Sequence, residues 1–246
     1  MTTRLFSVVV DAADPRALGF WWRDALGWEV IYQAADEVVV VPPGAGAVER
    51  GPGLVFVEVD DPKRGKNRVH LDLASQSVDD QAAIVERLIA AGATPAGVGQ
   101  RDDVDWVVLA DPEGNEFCVL DPRDRYRGGS ALAAIVVDAA DPTTLAAFWV
   151  AATGRSIGYQ DDQIVSLRYP DGLLPDLELL RNADPRSGKN RLHLDVAPWA
   201  ASDLDAEVSR LVALGATPAD VGQGSDVTWV VLADPEGNEF CVLRPR

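Results

Sequence analysis

WVVLADPEGNEFCVL, residues Trp106–Leu120, recurs without a single substitution at Trp229–Leu243. Its centre, DPEGN, puts Asp and Pro at the first two positions of a tight turn and Gly at the fourth, so the string reads as two short strands joined by a hairpin. The repetition extends backwards along the chain. GKNRVHLDL (Gly65–Leu73) returns as GKNRLHLDV (Gly188–Val196) at the same offset of 123 residues, and VVVDAADP (Val8–Pro15) returns as IVVDAADP (Ile135–Pro142) at an offset of 127. The second copy is therefore four residues shorter between these segments. Such a period is too long for a solenoid unit of ~20–50 residues and suits a domain of about 100–150 residues with its own core. The chain reads as two domains, 1–124 and 125–246. The seam Asp121–Ser130 (DPRDRYRGGS) is charged, turn-rich and without a hydrophobic period.

Of the 246 residues 47% are apolar and 25% charged, ordinary proportions for a globular chain. The amino terminus MTTRLFSVVVD lacks the apolar region of a signal peptide, and no run approaches the ~18 apolar residues of a membrane span. A formal net charge of −17 disfavours attraction to nucleic-acid phosphates or an anionic membrane. Cys118 and Cys241 occupy equivalent repeat positions, which points to one site copied with the duplication rather than to a disulfide. A cytoplasmic protein in a reducing compartment is expected, with no nucleic-acid or membrane partner.

Each copy opens on an apolar, β-branched stretch, Leu5–Val10 in the first, read as a strand. Asp14-Pro15 then supplies a helix N-cap and first-turn proline. Leu18, Trp21, Trp22, Ala25 and Leu26 follow at helical spacing before Gly27, and the second copy repeats this with Asp141-Pro142, Leu145, Phe148, Trp149 and Gly154. Three strands are expected next, Trp28–Gln33, Glu37–Val41 and Leu54–Val59, with a PPGAG turn at Pro42–Gly46. The order then restarts with a strand over Arg68–Ala74, a helix over Val78–Ala91 ended by Gly92, and strands at Thr94–Val98, Asp105–Ala110 and Glu116–Leu120. The result is β-α-β-β-β twice per copy, four modules in all. One helix per run of antiparallel strands indicates an α+β fold.

That module order, the "DP…L..FW…LGW" helix from Asp14 to Trp28 and the "HLDL…AGA…DPEGNEF" second half resemble the vicinal oxygen chelate superfamily over nearly the whole chain. This group holds glyoxalase I, extradiol dioxygenases and bleomycin-resistance proteins, and the likeness is nearest to tandem glyoxalase-like domains. The resemblance implies two such domains with curved, mainly antiparallel sheets, whose faces away from the helices form cups for a small-molecule ligand.

Strand alternation places Val69, Leu71 and Leu73 on one face and Arg68, His70 and Asp72 on the other; Arg191, His193 and Asp195 repeat the second set. On the last strand Glu116, Cys118 and Leu120 share a face, as do Glu239, Cys241 and Leu243. The candidate ligand-binding or catalytic residues are therefore His70, Glu116, Cys118, His193, Glu239 and Cys241. Arg68, Asp72, Arg191 and Asp195 are secondary candidates, and Trp106 and Trp229 are candidate aromatic walls, against the alternative of core packing. The strand histidines stand out because the chain has only two, although a duplication copies an idle histidine as faithfully as a working one.

Metal-dependent superfamily members draw His and Glu ligands from the first and last strands of two modules facing one cup. Carried over by position, His70 and His193 match the second-module histidine, whereas the first-module position is Ser7 or Ala134 and the last-strand glutamate position is Cys118 or Cys241. The remaining position falls among Leu54–Val59 or Asp176–Leu180, where Glu58 or Glu178 is the candidate. A divalent ion needs about three convergent donors, so no metal set is committed; His70, His193 and Glu178 are the candidate donors. GKNR (Gly65–Arg68, Gly188–Arg191) is a loop for an anionic ligand group or simply a solvated one. Two functions follow: binding of a small organic molecule, of sequestration or antibiotic-resistance type, or a metal-dependent lyase, isomerase or dioxygenase reaction. Ser7 against Ala134 and Val55 against Glu178 make the copies chemically unequal. The expected assembly is a monomer or homodimer, and whether modules pair within or across copies is open.

Overall fold

The computed structural model describes residues 3–44, 52–100, 103–173, 175–184, 188–224 and 227–245. In the first copy the elements are β1 (Thr3–Ala12), α1 (Pro15–Leu26), β2 (Glu29–Gln33), β3 (Glu37–Val41), β4 (Gly53–Glu58), β5 (Val69–Leu73), α2 (Val78–Ala90), β6 (Thr94–Pro95), β7 (Val107–Ala110) and β8 (Glu116–Val119). The second repeats them as β9 (Leu132–Ala139), α3 (Pro142–Thr153), β10 (Ser156–Gln160), β11 (Ile164–Arg168), β12 (Asp176–Arg181), β13 (Leu192–Pro198), α4 (Leu204–Ala213), β14 (Thr217–Pro218), β15 (Val230–Ala233) and β16 (Glu239–Val242).

Local chemistry sets the helix ends where the sequence places them. The Asp14 carboxylate accepts the Ala17 N–H, Pro15 opens α1, and Gly27 closes it at φ 67°; Asp141 and Gly154 do the same for α3. Leu18, Trp22, Ala25 and Leu26 form the buried stripe of α1. Gly19 lets the helix lie close on β3, since a Cβ there would stand 2.7 Å from a Val38 methyl. The strand expected over Thr94–Val98 is shorter, because Pro95 has no N–H for a ladder and Gly99, at φ 82°, turns the chain away. Its partner begins at Val107 rather than Asp105. Of the PPGAG turn, Ala45 and Gly46 lie outside the described residues.

Two open eight-stranded sheets result, ordered β14-β15-β16-β13-β1-β4-β3-β2 and β10-β11-β12-β9-β5-β8-β7-β6. Each joins one module from each sequence copy. The seam of the first is the antiparallel pair β1·β13, with Ser7 opposite Asp195 and Val9 opposite His193. In the second it is β5·β9, with His70 opposite Val136 and Asp72 opposite Ala134. Within every module the first and last strands run parallel and all other neighbours antiparallel, which makes the sheets mixed. The inward faces and helices share one continuous core that includes Phe56, Leu71, Phe117, Trp149, Leu179 and Phe240.

The DPEGN hairpins lock this exchange. Asp111 accepts from the backbone N–H groups of Glu113 and Asn115 and from the Trp22 indole, while Glu113 caps α1 by accepting from Ala13 and Asp14. Arg191 of the other copy reaches Asn115 at 3.0 Å and Glu113 at 2.5 Å, and Arg68 reaches Asn238 at 3.0 Å and Glu236 at 3.5 Å. A polypeptide of residues 1–124 alone leaves β1 and β5 without their antiparallel neighbours. Neither it nor 125–246 is expected to give a folded monomer, whereas mixing them should restore a 1:1 complex with the near-UV circular dichroism of the intact chain. A folded monomeric half, seen by light scattering, would contradict the cross-copy pairing.

Candidate functional site

Register aligns the polar residues of the outer face into rows. Across the second sheet one row reads Asp176–Ala134–Asp72–Cys118–Val108, and the next reads Ser166–Glu178–Val136–His70. Across the first the matching rows are Gly53–Ser7–Asp195–Cys241–Val231 and Val39–Val55–Val9–His193. Each sheet thus brings a histidine, an aspartate and a cysteine together, with ligand atoms all within 4.8 Å of one another. His70 Nε2 lies 3.5 Å from Asp72 Oδ1, and His193 Nε2 lies 3.8 Å from Asp195 Oδ1. Both cysteines are buried free thiols.

The two clusters differ beyond that core. Ser7 donates its hydroxyl to Asp195 Oδ2 at 2.8 Å. Ala134, at the equivalent place, has nothing to donate, and Asp72 Oδ1 is buried without a hydrogen bond. Only the second sheet adds a second carboxylate, Glu178, where the first has Val55. Glu178 Oε1 accepts the Tyr126 hydroxyl at 2.9 Å.

Burial dominates the protonation of these groups. Desolvation, aided by the Lys66 charge, lowers His70 to about 4; desolvation and Glu178 raise Asp72 to about 8; desolvation and Asp72 push the Cys118 thiol up. Glu178 is also raised by burial, with the Tyr126 hydrogen bond opposing. In the first sheet His193 falls to about 3 through burial and Lys189, and Cys241 is pushed up by burial and Asp195. Burial thus favours the uncharged form of every group in the second cluster, imidazole, carboxyl and thiol alike.

Other sequence candidates are drawn elsewhere. Glu116 receives Lys63 at 2.8 Å and the Asn67 N–H at 3.2 Å, pinning the loop before β5, and Glu239 receives the Asn190 N–H at 3.3 Å. Arg68 and Arg191 serve the hairpin clamps. Trp106 packs half-buried against the outer-face cluster of Ala74, Val108, Cys118, Leu120, Tyr126 and Ala133, while Trp229 is 39% exposed. Glu58 sits exposed at the end of β4, away from the histidine row. In the GKNR loops Lys66 pairs with Asp138 and Lys189 with Asp11, each across the copies. Around them lies a cavity of about 260 Å³ lined by residues of both signs, including Asp61, Arg64 and Asp184. Tyr126, and Arg123, whose charge opposes the rise of Asp72, Cys118 and Glu178, have no counterpart among the residues singled out from sequence; the one signal was an aromatic flanked by arginines inside an otherwise polar seam.

A mixed α+β pair of open sheets, built from four βαβββ modules with polar clusters on the outer faces, defines the glyoxalase-like class of the vicinal oxygen chelate superfamily. The chain belongs to that family: the glyoxalase-like domain model matches residues 7–120 and again 134–243. Maize (Zea mays) glyoxalase I is similar in structure, with TM-score 0.70 and 14% identity over 99% of this chain and 92% of that one; its V278E mutant gives 0.71, 15%, 99% and 92%. A Bacillus subtilis strain 168 structure with a provisional dioxygenase assignment gives 0.63 and 12%, covering 99% and 85%. These likenesses establish the fold. No curated protein matches the sequence.

The shifts give the site a pH signature. Above pH about 4 the unfolded chain releases the Asp72 proton that the folded chain keeps until about pH 8, so folding stability drains away across that interval. The histidines act oppositely, costing stability as pH falls below 6.5 toward about 4 and about 3, so pH 6.5–8 is free of them and the comparison with an Asp72 variant reads that carboxyl. Asp72→Asn should gain on the wild type over that window, by at most about 1.4 kcal/mol per pH unit, in chelator-treated urea denaturation. A constant difference would show that Asp72 is ionised in the folded protein.

Proposed function

We propose that the chain binds a small organic molecule bearing oxygen groups on the outer faces of its sheets, as a binding or sequestering protein. The observation that carries this reading is the convergence, in each sheet, of an imidazole, a carboxyl and a thiol on one largely buried spot, where at the second sheet burial favours the uncharged form of each. A few convergent polar groups among apolar walls suit such a ligand, because they orient it while the walls exclude water. Asp72 as a protonated carboxyl donates to a ligand oxygen, and the neutral His70 accepts from a ligand hydroxyl. The free buried thiols fit a reducing cytoplasm.

A second reading, a metal-dependent lyase, isomerase or dioxygenase, is favoured by one observation. Asp72 Oδ1 lacks a hydrogen bond while facing His70 and the Cys118 thiol. Imidazole, carboxylate and thiolate together suit zinc or iron, so the residues fit: His70, Asp72 and Cys118 would hold a divalent ion, with Glu178 beside them. Such an ion supplies Lewis acidity toward a substrate oxygen. The chain's own part is to release the protons of Asp72 and Cys118 as the ion enters, which makes affinity rise with pH. The first sheet is poorer in donors, since Ser7 already holds Asp195 and Val55 replaces the glutamate.

Untagged protein purified without chelator separates the readings. About one equivalent of metal by mass spectrometry, lost in His70→Ala and retained in His193→Ala, supports the ion. Metal-free protein whose melting temperature rises with small aromatic or carbonyl compounds supports sequestration; a hundredfold excess over Kd contributes about 2.7 kcal/mol, or several degrees at roughly 2–4 °C per kcal/mol. The rise should shrink in both histidine variants. Protein that holds neither metal nor any such compound refutes both.

A further inference from the structure

The seam between the copies folds into the second sheet's outer face. After β8 the chain makes a single 3-10 turn, Asp124–Tyr126, before entering β9. Tyr126 is 3% exposed, and its ring lies among Ala74, Val108, Cys118, Leu120 and Ala133. Its hydroxyl donates to Glu178 on β12. With strand order β12-β9-β5-β8, a side chain that shares the buried cluster of Cys118 on β8 and bonds Glu178 on β12 spans the outer face at the level of Ala134 and Asp72. Polar contacts fasten this strap: Arg125 holds Asp176 at 2.5 and 3.1 Å, and the Gly128 N–H reaches the Gln76 side-chain oxygen at 2.8 Å.

The first sheet differs at the equivalent position. Both sheets have a bulge at this level, between Leu5 and Ser7 in β1 and between Leu132 and Ala134 in β9. The bulged residue is Phe6 in one, its ring under the Arg4 guanidinium, and Ala133 in the other, where Tyr126 joins the same outer-face cluster. The tyrosine also finds an acceptor that the first sheet lacks, because Val55 stands in place of Glu178.

We propose that Tyr126 is a built-in occupant of a phenol subsite beside His70, Asp72 and Cys118, and that an outside phenolic ligand binds this site by displacing the strap. The ligand class rests on the reading of these faces as small-molecule sites. An apolar slot ending in a carboxylate acceptor selects a planar ring with a hydroxyl over a bare ring, and Glu178, with Asp176 on the same strand, selects against an aromatic carboxylate.

The test uses full-length protein and mass-resolved iodoacetamide labelling, in which Cys241, not under the strap, is the internal control. Tyr126→Ala should label Cys118 about tenfold faster than wild type with Cys241 unchanged. p-Cresol should restore protection and raise the variant's melting temperature by a few degrees, as a ligand fills an engineered cavity, and toluene and p-toluate should do less. Tyr126→Phe keeps the ring and loses one hydrogen bond, so Cys118 labelling should rise about fivefold; it carries the test if the alanine variant does not fold. Wild type should bind p-cresol more weakly than Tyr126→Ala, because the strap competes. Both cysteines accelerating together, or no p-cresol effect on either variant, would overturn the proposal, and toluene equal to p-cresol would overturn the phenol assignment. Failure of the broader reading looks different: ligands then give no histidine-dependent stabilisation while the Cys118-to-Cys241 ratio still responds to Tyr126.

Discussion

Two strand pairings, β1 with β13 and β5 with β9, govern this molecule. Each brings together chain segments from different copies, and each sits at the middle of an eight-stranded sheet. Lateral hydrogen bonding leaves little freedom there, because a one-residue slip would exchange the core face for the outer face along the whole strand. The histidine, aspartate and cysteine of each cluster depend on this register: His and Asp come from one side of the second sheet's seam, and Ala134 and Glu178 from the other. The arginine clamps onto the opposite hairpins lie at these junctions and hold the exchange in place.

At the outer faces desolvation outweighs charge pairing. A histidine beside an aspartate ordinarily gains protons from it, yet both imidazoles here are depressed and Asp72 is raised, because burial penalises every charged form. The lysines of the GKNR loops pull the same way on the imidazoles, being bound to Asp138 and Asp11 rather than to the clusters. The two sheets resolve the strain in different ways. Ser7 donates to Asp195 Oδ2 in the first, whereas in the second Ala134 stands in place of that serine and Asp72 Oδ1, the oxygen facing His70, has no hydrogen bond.

Much of this architecture was legible in the residues. Four βαβββ modules, the capped helices at Asp14 and Asp141, and the face shared by His70 and Asp72 all follow from local periodicity and turn chemistry. Cys118 and Cys241 likewise stand where alternation places them. Long-range choices were not legible. Two nearly identical copies offer the same strand edges, so nothing local says whether β5 joins β1 or β9. Glu116 reads as a site residue by alternation, but Lys63 and the Asn67 N–H, which divert it, come from a loop that periodicity does not describe. Tyr126 lies in a segment with no period at all, and it joins an outer-face cluster with Ala133, 7 residues further on.

Because one chain supplies both halves of each sheet, a substitution in either half appears once in the molecule. A symmetric assembly of two identical half-length chains would show every change in both sheets and could not lose a donor in one while keeping it in the other. The joined chain is released from that bond, and the exchanges of Ser7 for Ala134, Phe6 for Ala133 and Val55 for Glu178 are its visible record. Covalent fusion has made the two faces separately evolvable.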